Sequence, residues 1–177
     1  MSKTICVTGH RPKRLYGYNL KDPRWEKLFD VFQEILVDKG CTEAITGMAL
    51  GVDTIFALAV LNLRDEKKYP IKLHCAVPCY NLSEPWFNDE DINRFQHILD
   101  KADKVVYVTE SDYVQGCLEK RNQYMVNNSD EVLAVWTGSS GGTKHCIDYA
   151  HYKKKPVTNL INEKGEIVYE GLCQNTN

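Results

Sequence analysis

Two glycine-centred loops hold most of the residues that can do chemistry: Thr46-Gly47-Met48-Ala49-Leu50-Gly51-Val52-Asp53 and Trp136-Thr137-Gly138-Ser139-Ser140-Gly141-Gly142-Thr143. Each follows a short apolar run and precedes a helical pattern. A glycine turn from strand to helix presents backbone N–H groups at the positive end of the helix, where phosphate binds. One such turn also serves plain packing. Two of them, with Gly9-His10-Arg11 after the first apolar run, point to a phosphate-bearing ligand.

Gly141-Gly142-Thr143 is the better cradle, with glycines free of Cβ and then a hydroxyl at a helix start; Gly138 lies in the same loop. Gly47 and Gly51, on either side of Met48, allow close backbone approach to a ligand. Arg11 can pair bidentately with phosphate or carboxylate, against the alternative of a surface arginine in a turn ending at Pro12. His10 has weaker support, since a loop histidine is as often a hydrogen-bonded surface residue. Asp53 suits ribose hydroxyls or a helix cap. Arg121 and Asn122 follow Glu119 and Lys120, a charge run that ordinarily marks a solvated face. Their helix follows a strand-end loop, residues 110–116, and its start can face the site. Tyr80 and Trp86, with Phe87, are placed to stack on a base or to form a small cluster under a loop. Asp130 reads as a turn residue. The loops carry neither GxxxxGK followed by Ser or Thr nor GxGxxG, which argues against triphosphate hydrolysis and an ordinary dinucleotide fingerprint.

The elements that must position these residues alternate. Strands are predicted over Thr4–Thr8, Glu43–Thr46, Ile71–Val77, Val105–Val108, Val132–Trp136 and Pro156–Ile161. Helical spacing joins Trp25, Leu28, Phe32 and Leu36 after Asp22-Pro23, and Val52, Ile55, Phe56 and Val60 after the first glycine loop. Asn88 opens a third helix, Cys117 to Asn127 a fourth and Thr143 to Tyr152 a fifth. Ile167–Tyr169, beyond Asn162-Glu163-Lys164-Gly165, reads as a hairpin arm. The pattern predicts an α/β, three-layer, mainly parallel sheet with helices on both faces. Ligands bind such sheets beyond the strands' carboxyl ends, at the switch in strand order. One domain over 1–177 is expected, with its core about 3–161 and a C-terminal arm over 162–177.

The 22 Lys+Arg against 24 Asp+Glu give a formal charge of −2, which argues against a broad nucleic-acid surface. The chain starts straight into a strand, and no apolar stretch approaches the roughly 20 residues that span a bilayer. A cytoplasmic protein is the expectation. Seven cysteines without a CxxC pair, the closest being Cys75 and Cys79, suggest small buried hydrophobes such as Cys6, Cys41 and Cys75. Neither a metal nor a bound cofactor is expected.

Thr8-Gly9-His10-Arg11-Pro12, Gly47 to Asp53, Lys120-Arg121-Asn122-Gln123, Asn128-Ser129-Asp130 and the closing Gly-Gly-Thr together resemble the YpsA-like family. That family sits in the SLOG superfamily with the DNA-processing protein DprA and the Lonely Guy phosphoribohydrolases. The resemblance runs from about Lys3 to Ile161. It implies a Rossmann-like fold that binds nucleotide-derived ligands, NAD- or ADP-ribose-like or cyclic-nucleotide signals. Sensing or sequestration in bacterial or phage nucleotide signalling and anti-phage defence would follow. The implied ligand shell is Gly9, Arg11, Gly47, Gly51, Asp53, Arg121, Asn122, Gly141, Gly142 and Thr143. Aligned on the GGxGTxxE motif of the phosphoribohydrolases, Cys146 falls where their catalytic glutamate lies. Breaking an N-glycosidic bond needs a carboxylate, so no catalytic residue is assigned. Nucleotide N-glycosidase action on a monophosphate stays the alternative, and a protein-interaction module with purely architectural loops is a third reading. The expected partner is a small phosphorylated nucleotide-type ligand, without a membrane, and with a homo-oligomer left open.

Overall fold

In a computed structural model that describes residues 2–169, every named strand pairing is parallel. The strands are β1 (Thr4–Gly9), β2 (Glu43–Thr46), β3 (Lys72–Val77), β4 (Lys104–Tyr107), β5 (Glu131–Val135) and β6 (Val157–Asn159). Their order across the sheet is β4-β3-β2-β1-β5-β6. The helices are α1 (Pro23–Asp38), α2 (Val52–Asp65), α3 (Asp89–Lys101), α4 (Cys117–Asn127) and α5 (Gly142–Tyr152), with a 3-10 turn at Pro12–Arg14. No helix among the described residues is long and apolar enough to cross a membrane.

Successive side chains of a strand point to opposite faces, and this chain fills both. Ile5, Val7, Leu73, Cys75, Leu133 and Val135 meet the apolar faces of α1 and α2 in the larger core cluster. Cys6, Ile45, Ala76 and Val132 meet Met125 and Val126 of α4 and Cys146 and Ala150 of α5 in the smaller one. Three layers result, in a Rossmann-like arrangement. Helix α1 starts where it does because the Asp22 side chain accepts from the Arg24 N–H at 2.9 Å and Pro23 sits at the first turn. The central helix α2 buries ten of its fourteen residues, which explains its weak polar face.

The element order agrees with the expectation; the bounds shift at their ends. β5 begins at Glu131, whose carboxylate is held by Lys3 at 3.0 Å and Lys39 at 2.6 Å. β6 covers three residues instead of six. The arm after it makes one antiparallel bridge, Ile161 with Ile167, and its remainder from residue 170 lies outside the described residues. Asp130 takes the Thr4 N–H at 2.8 Å, at the end of the sheet opposite the glycine loops.

Candidate functional site

Strand order reverses between β1 and β5: from β1 the chain steps outward to β2, β3 and β4, then returns to the other side of β1. The crevice at that switch is the favoured ligand position in such sheets. Its two lips are laced together by His10. The His10 N–H donates to the Val135 carbonyl at 3.2 Å, and its Nε2 accepts from the Thr137 N–H at 3.0 Å. His10 is 4% exposed, and burial, reinforced by the Arg14 charge, holds its pKa below the ordinary histidine value. His10, the weaker ligand candidate, thus clasps the exits of β1 and β5 and also lines the space beneath them.

Beneath the lips lies a cavity of about 270 Å³, lined by Gly9, His10 and Arg11 after β1, by Asp53 of α2, by Arg121 and Asn122 of α4, and by Gly142 and Thr143 of α5. Arg121 and Asp53 are each 6% exposed, so the charge run on α4 carries a buried arginine. Arg121 donates through Nη1 to the Gly47 carbonyl and through Nε to Asn122 Oδ1 at 3.1 Å. Asn122 in turn donates to the Gly142 carbonyl at 3.3 Å, tying α4 to the start of α5. Asp53 Oδ2 accepts from the Ala49 N–H at 3.1 Å, and its carboxyl and the guanidinium close on Gly47 from two sides. Burial pushes the Asp53 carboxyl above the usual carboxylate range, against the pull of the Arg121 charge. The same burial lowers Arg121, which as an arginine stays charged.

This packing gives Gly47 a reason of its own. A Cβ there would lie 2.4 Å from Arg121 Nη1 and 2.9 Å from Asp53 Oδ2. The glycine makes room for a buried arginine; Gly9 and Gly51 likewise abut Val52 and Pro12. Met48 is 1% exposed in the larger core, at φ 64°, and does not line the cavity. Gly51, at φ 87°, and Gly141, at φ 137° beside Arg14 Nη1, also hold a conformation that favours glycine. A Cβ on Gly142 would meet nothing within 4 Å, so that position is open.

The helices fall into two classes. α1 and α3 open on side-chain caps, Asp22 and Asn88, whereas α2, α4 and α5 open on Gly51, Gly116 and Gly141 with no side-chain cap. The uncapped three carry the cavity's helical residues. In α5 the first intrahelical bond runs from the His145 N–H to the Gly141 carbonyl at 3.0 Å, leaving the N–H groups of Gly142, Thr143 and Lys144 ahead of it.

Arg11, exposed, is common to this cavity and to a larger one of about 960 Å³. Trp86, Pro85, Leu82, Leu50 and Tyr18 give the larger cavity an apolar wall, with Glu84 and Asp91 also lining it. Trp86 is braced edge-on by Phe95 at 5.2 Å. Tyr80, the other stacking candidate, is 56% exposed against Tyr107 and lines neither cavity; Gly138 lines neither as well. Cys146 is buried in the smaller core, where burial pushes its thiol up to about 11. Asp148 pairs with Lys144 at 2.6 Å. Arg14 was not among the expected site residues. It lines the small cavity and donates to the Ser140 carbonyl at 2.8 Å, fixing the second glycine loop. Its signal was the i, i+3 spacing from Arg11 across a Pro-initiated 3-10 turn, which eclipses the two positions.

Residues 5–162 match the model of the YspA SLOG family. The chain is 31% identical over 137 residues to the SPbeta prophage-derived protein YoqJ of Bacillus subtilis, covering 71% of this chain and 78% of that protein. It is 29% identical over 184 residues to a UPF0398 protein of Bacillus thuringiensis, covering 98% of each. Among solved structures it is similar to DNA processing protein A from Helicobacter pylori, described for its single-stranded DNA binding mode, with a TM-score of 0.61 at 18% identity, over 98% of this chain and 70% of that one. It is also similar to the molybdenum cofactor carrier protein of Chlamydomonas reinhardtii, with a TM-score of 0.56 at 15% identity, over 93% and 79%. At these identities the structural likeness concerns the fold.

Proposed function

The chain belongs to the YspA SLOG family, and from that premise we propose that it binds a small phosphorylated, nucleotide-derived ligand and holds it without efficient turnover. One observation carries the reading: a small cavity at the switch point, flanked by Arg11, Arg14 and Arg121 and the uncapped start of α5, shares Arg11 with a large cavity walled by Trp86. Arginine donors and free helix N–H groups suit phosphate. An aromatic wall suits a base. The fold neighbour that carries a molybdenum cofactor is a precedent for holding a small ligand on such a scaffold. The ligand is of the NAD- or ADP-ribose-like or cyclic-nucleotide kind, and the role is sensing or sequestration in bacterial or phage signalling, in keeping with the prophage origin of one relative.

Calorimetry against AMP, NAD, ADP-ribose and cyclic dinucleotides tests this. Binding of at least one, with the ligand recovered unchanged, is the expected result. Folded protein that binds none refutes it. Nucleotide N-glycosidase activity is the second reading. It is favoured by Asp53, the one carboxylate that lines the small cavity among the described residues, and one whose pKa burial raises above the usual carboxylate range. Stoichiometric protein incubated with nucleoside monophosphates would then release free base, and Asp53→Asn would stop it.

A further inference from the structure

Arg14 is a wall common to two cavities. On one side is the small cavity at the switch point; on the other is a cavity of about 570 Å³ between the 3-10 turn, the start of α1 and the turn at residues 163–167. We infer that this outer cavity is a second subsite of the same ligand and takes a sugar carried on its phosphate. The ligand class is then a nucleoside diphosphate sugar, with its base against Trp86, its phosphates at Arg11 and Arg14, and its distal sugar beyond Arg14. The inference rests on the phosphate reading of the small cavity.

The chemistry of the two flanking cavities differs, and this assigns the ends. The Trp86 cavity is predominantly apolar. The outer one offers the ammonium groups of Lys27 and Lys164, the carboxylates of Glu163 and Glu166, and the Thr137 hydroxyl. A mixed set of donors and acceptors matches hydroxyl groups, each of which gives and takes a hydrogen bond. A second base would find no open ring there. Tyr16 is buried, edge-on to Trp25 at 4.9 Å, with Arg24 over its ring at 5.1 Å and its hydroxyl donating to the Gly165 carbonyl at 2.6 Å. Arg24 is itself held by Asp22 through two bonds, at 3.0 and 2.8 Å. With Arg14 given to the phosphates, the lysines are the cations left to the sugar.

The wall is also preformed. Asn162 Oδ1 accepts from the Lys164 and Glu166 N–H groups, both at 3.0 Å, and the Ile161–Ile167 bridge closes the turn. Lys164 is thus presented from an ordered turn, while Lys27 projects from α1 opposite it. Thr137, clasped by His10, links this wall to the lips of the switch point.

The test compares matched pairs by calorimetry on the full chain: AMP with ADP-ribose, UMP with UDP-glucose, GMP with GDP-mannose. The expected result is one pair in which the sugar nucleotide binds about ten- to a hundred-fold tighter, the gain of one charged contact. The Lys27→Ala/Lys164→Ala double variant should lose that gain and keep the affinity for the monophosphate. Both lysines are exposed, so its melting temperature should match the parent; Lys27→Ala alone should show a partial loss. Monophosphates bound as tightly as their sugar nucleotides, or a gain that survives in the double variant, overturns the second subsite and leaves the proposed function standing. Absence of binding by every probe overturns both.

Discussion

Gly47→Ala separates two explanations for one glycine. If Gly47 exists so that a ligand can approach, the added methyl weakens binding and leaves the fold untouched. The packing argues otherwise. The new Cβ would lie 2.4 Å from Arg121 Nη1, 2.8 Å from its Cζ and 2.9 Å from Asp53 Oδ2, so the guanidinium must move. A guanidinium is the end of a flexible chain and can shift cheaply in steric terms. Here the shift breaks its bond to the Gly47 carbonyl in a place where Arg121 is only 6% exposed. A hydrogen bond to a charged group is worth about 1.5–3 kcal/mol. At about 2–4 °C per kcal/mol for a chain of this size, melting should fall by about 3–12 °C. Urea titration and a thermal melt on Gly47→Ala, read beside calorimetry with ADP-ribose, give the answer. A variant that melts like the parent but binds more weakly would refute the packing argument and return Gly47 to the ligand. A variant unchanged in both would show that Arg121 has room elsewhere.

Arg11→Ala should weaken ligand binding about ten- to a hundred-fold by calorimetry, from the loss of charged hydrogen bonds, with melting unchanged because the side chain is exposed. Gly142→Val should abolish binding and also leave melting alone: its Cβ enters open space inside the small cavity and its φ is not one that demands glycine. Stability should fall as pH drops from about 7.5 to 5.5. Below the unfolded histidine value of about 6.5, the unfolded chain takes up protons that His10 and His74, both held low mainly by burial, resist in the fold. Urea midpoints across that range should show a flatter dependence in His10→Gln, and an equal slope would mean that His10 titrates normally.

The layer order was readable because it rests on local signals. Apolar runs of strand length alternate with stripes at helical spacing, and Asp22-Pro23 and Asn88 mark helix starts through their own side chains. Proximity of the glycine loops followed from parallel pairing alone. What each glycine does was not readable, because the cause lies far along the chain: Gly47 answers to Arg121, 74 residues away. The charge run Glu119-Lys120-Arg121-Asn122 looked solvated, yet Cys117, Arg121 and Met125 share one stripe at i, i+4 spacing and all are buried. That stripe was the missed clue. Tyr80 and Trp86 are alike in sequence terms, and only the path of the connection after β3 sends one toward solvent and the other into the large cavity. Cys146 is read differently once buried: its thiol packs in the smaller core below the site instead of facing it.

The division between helices capped by Asp22 or Asn88 and helices capped by bare glycine carries a dynamic consequence. A first turn whose N–H groups await a partner opens more readily than one already secured, so local stability should be uneven around the sheet. Amide hydrogen exchange at Gly142, Thr143 and Lys144 should be fast in the empty protein and slow sharply when phosphate arrives, whereas the first turns of α1 and α3 should exchange at the same rate in both. The ligand would then act as the last piece of secondary structure in the fold, and its departure would loosen the helix starts that hold it.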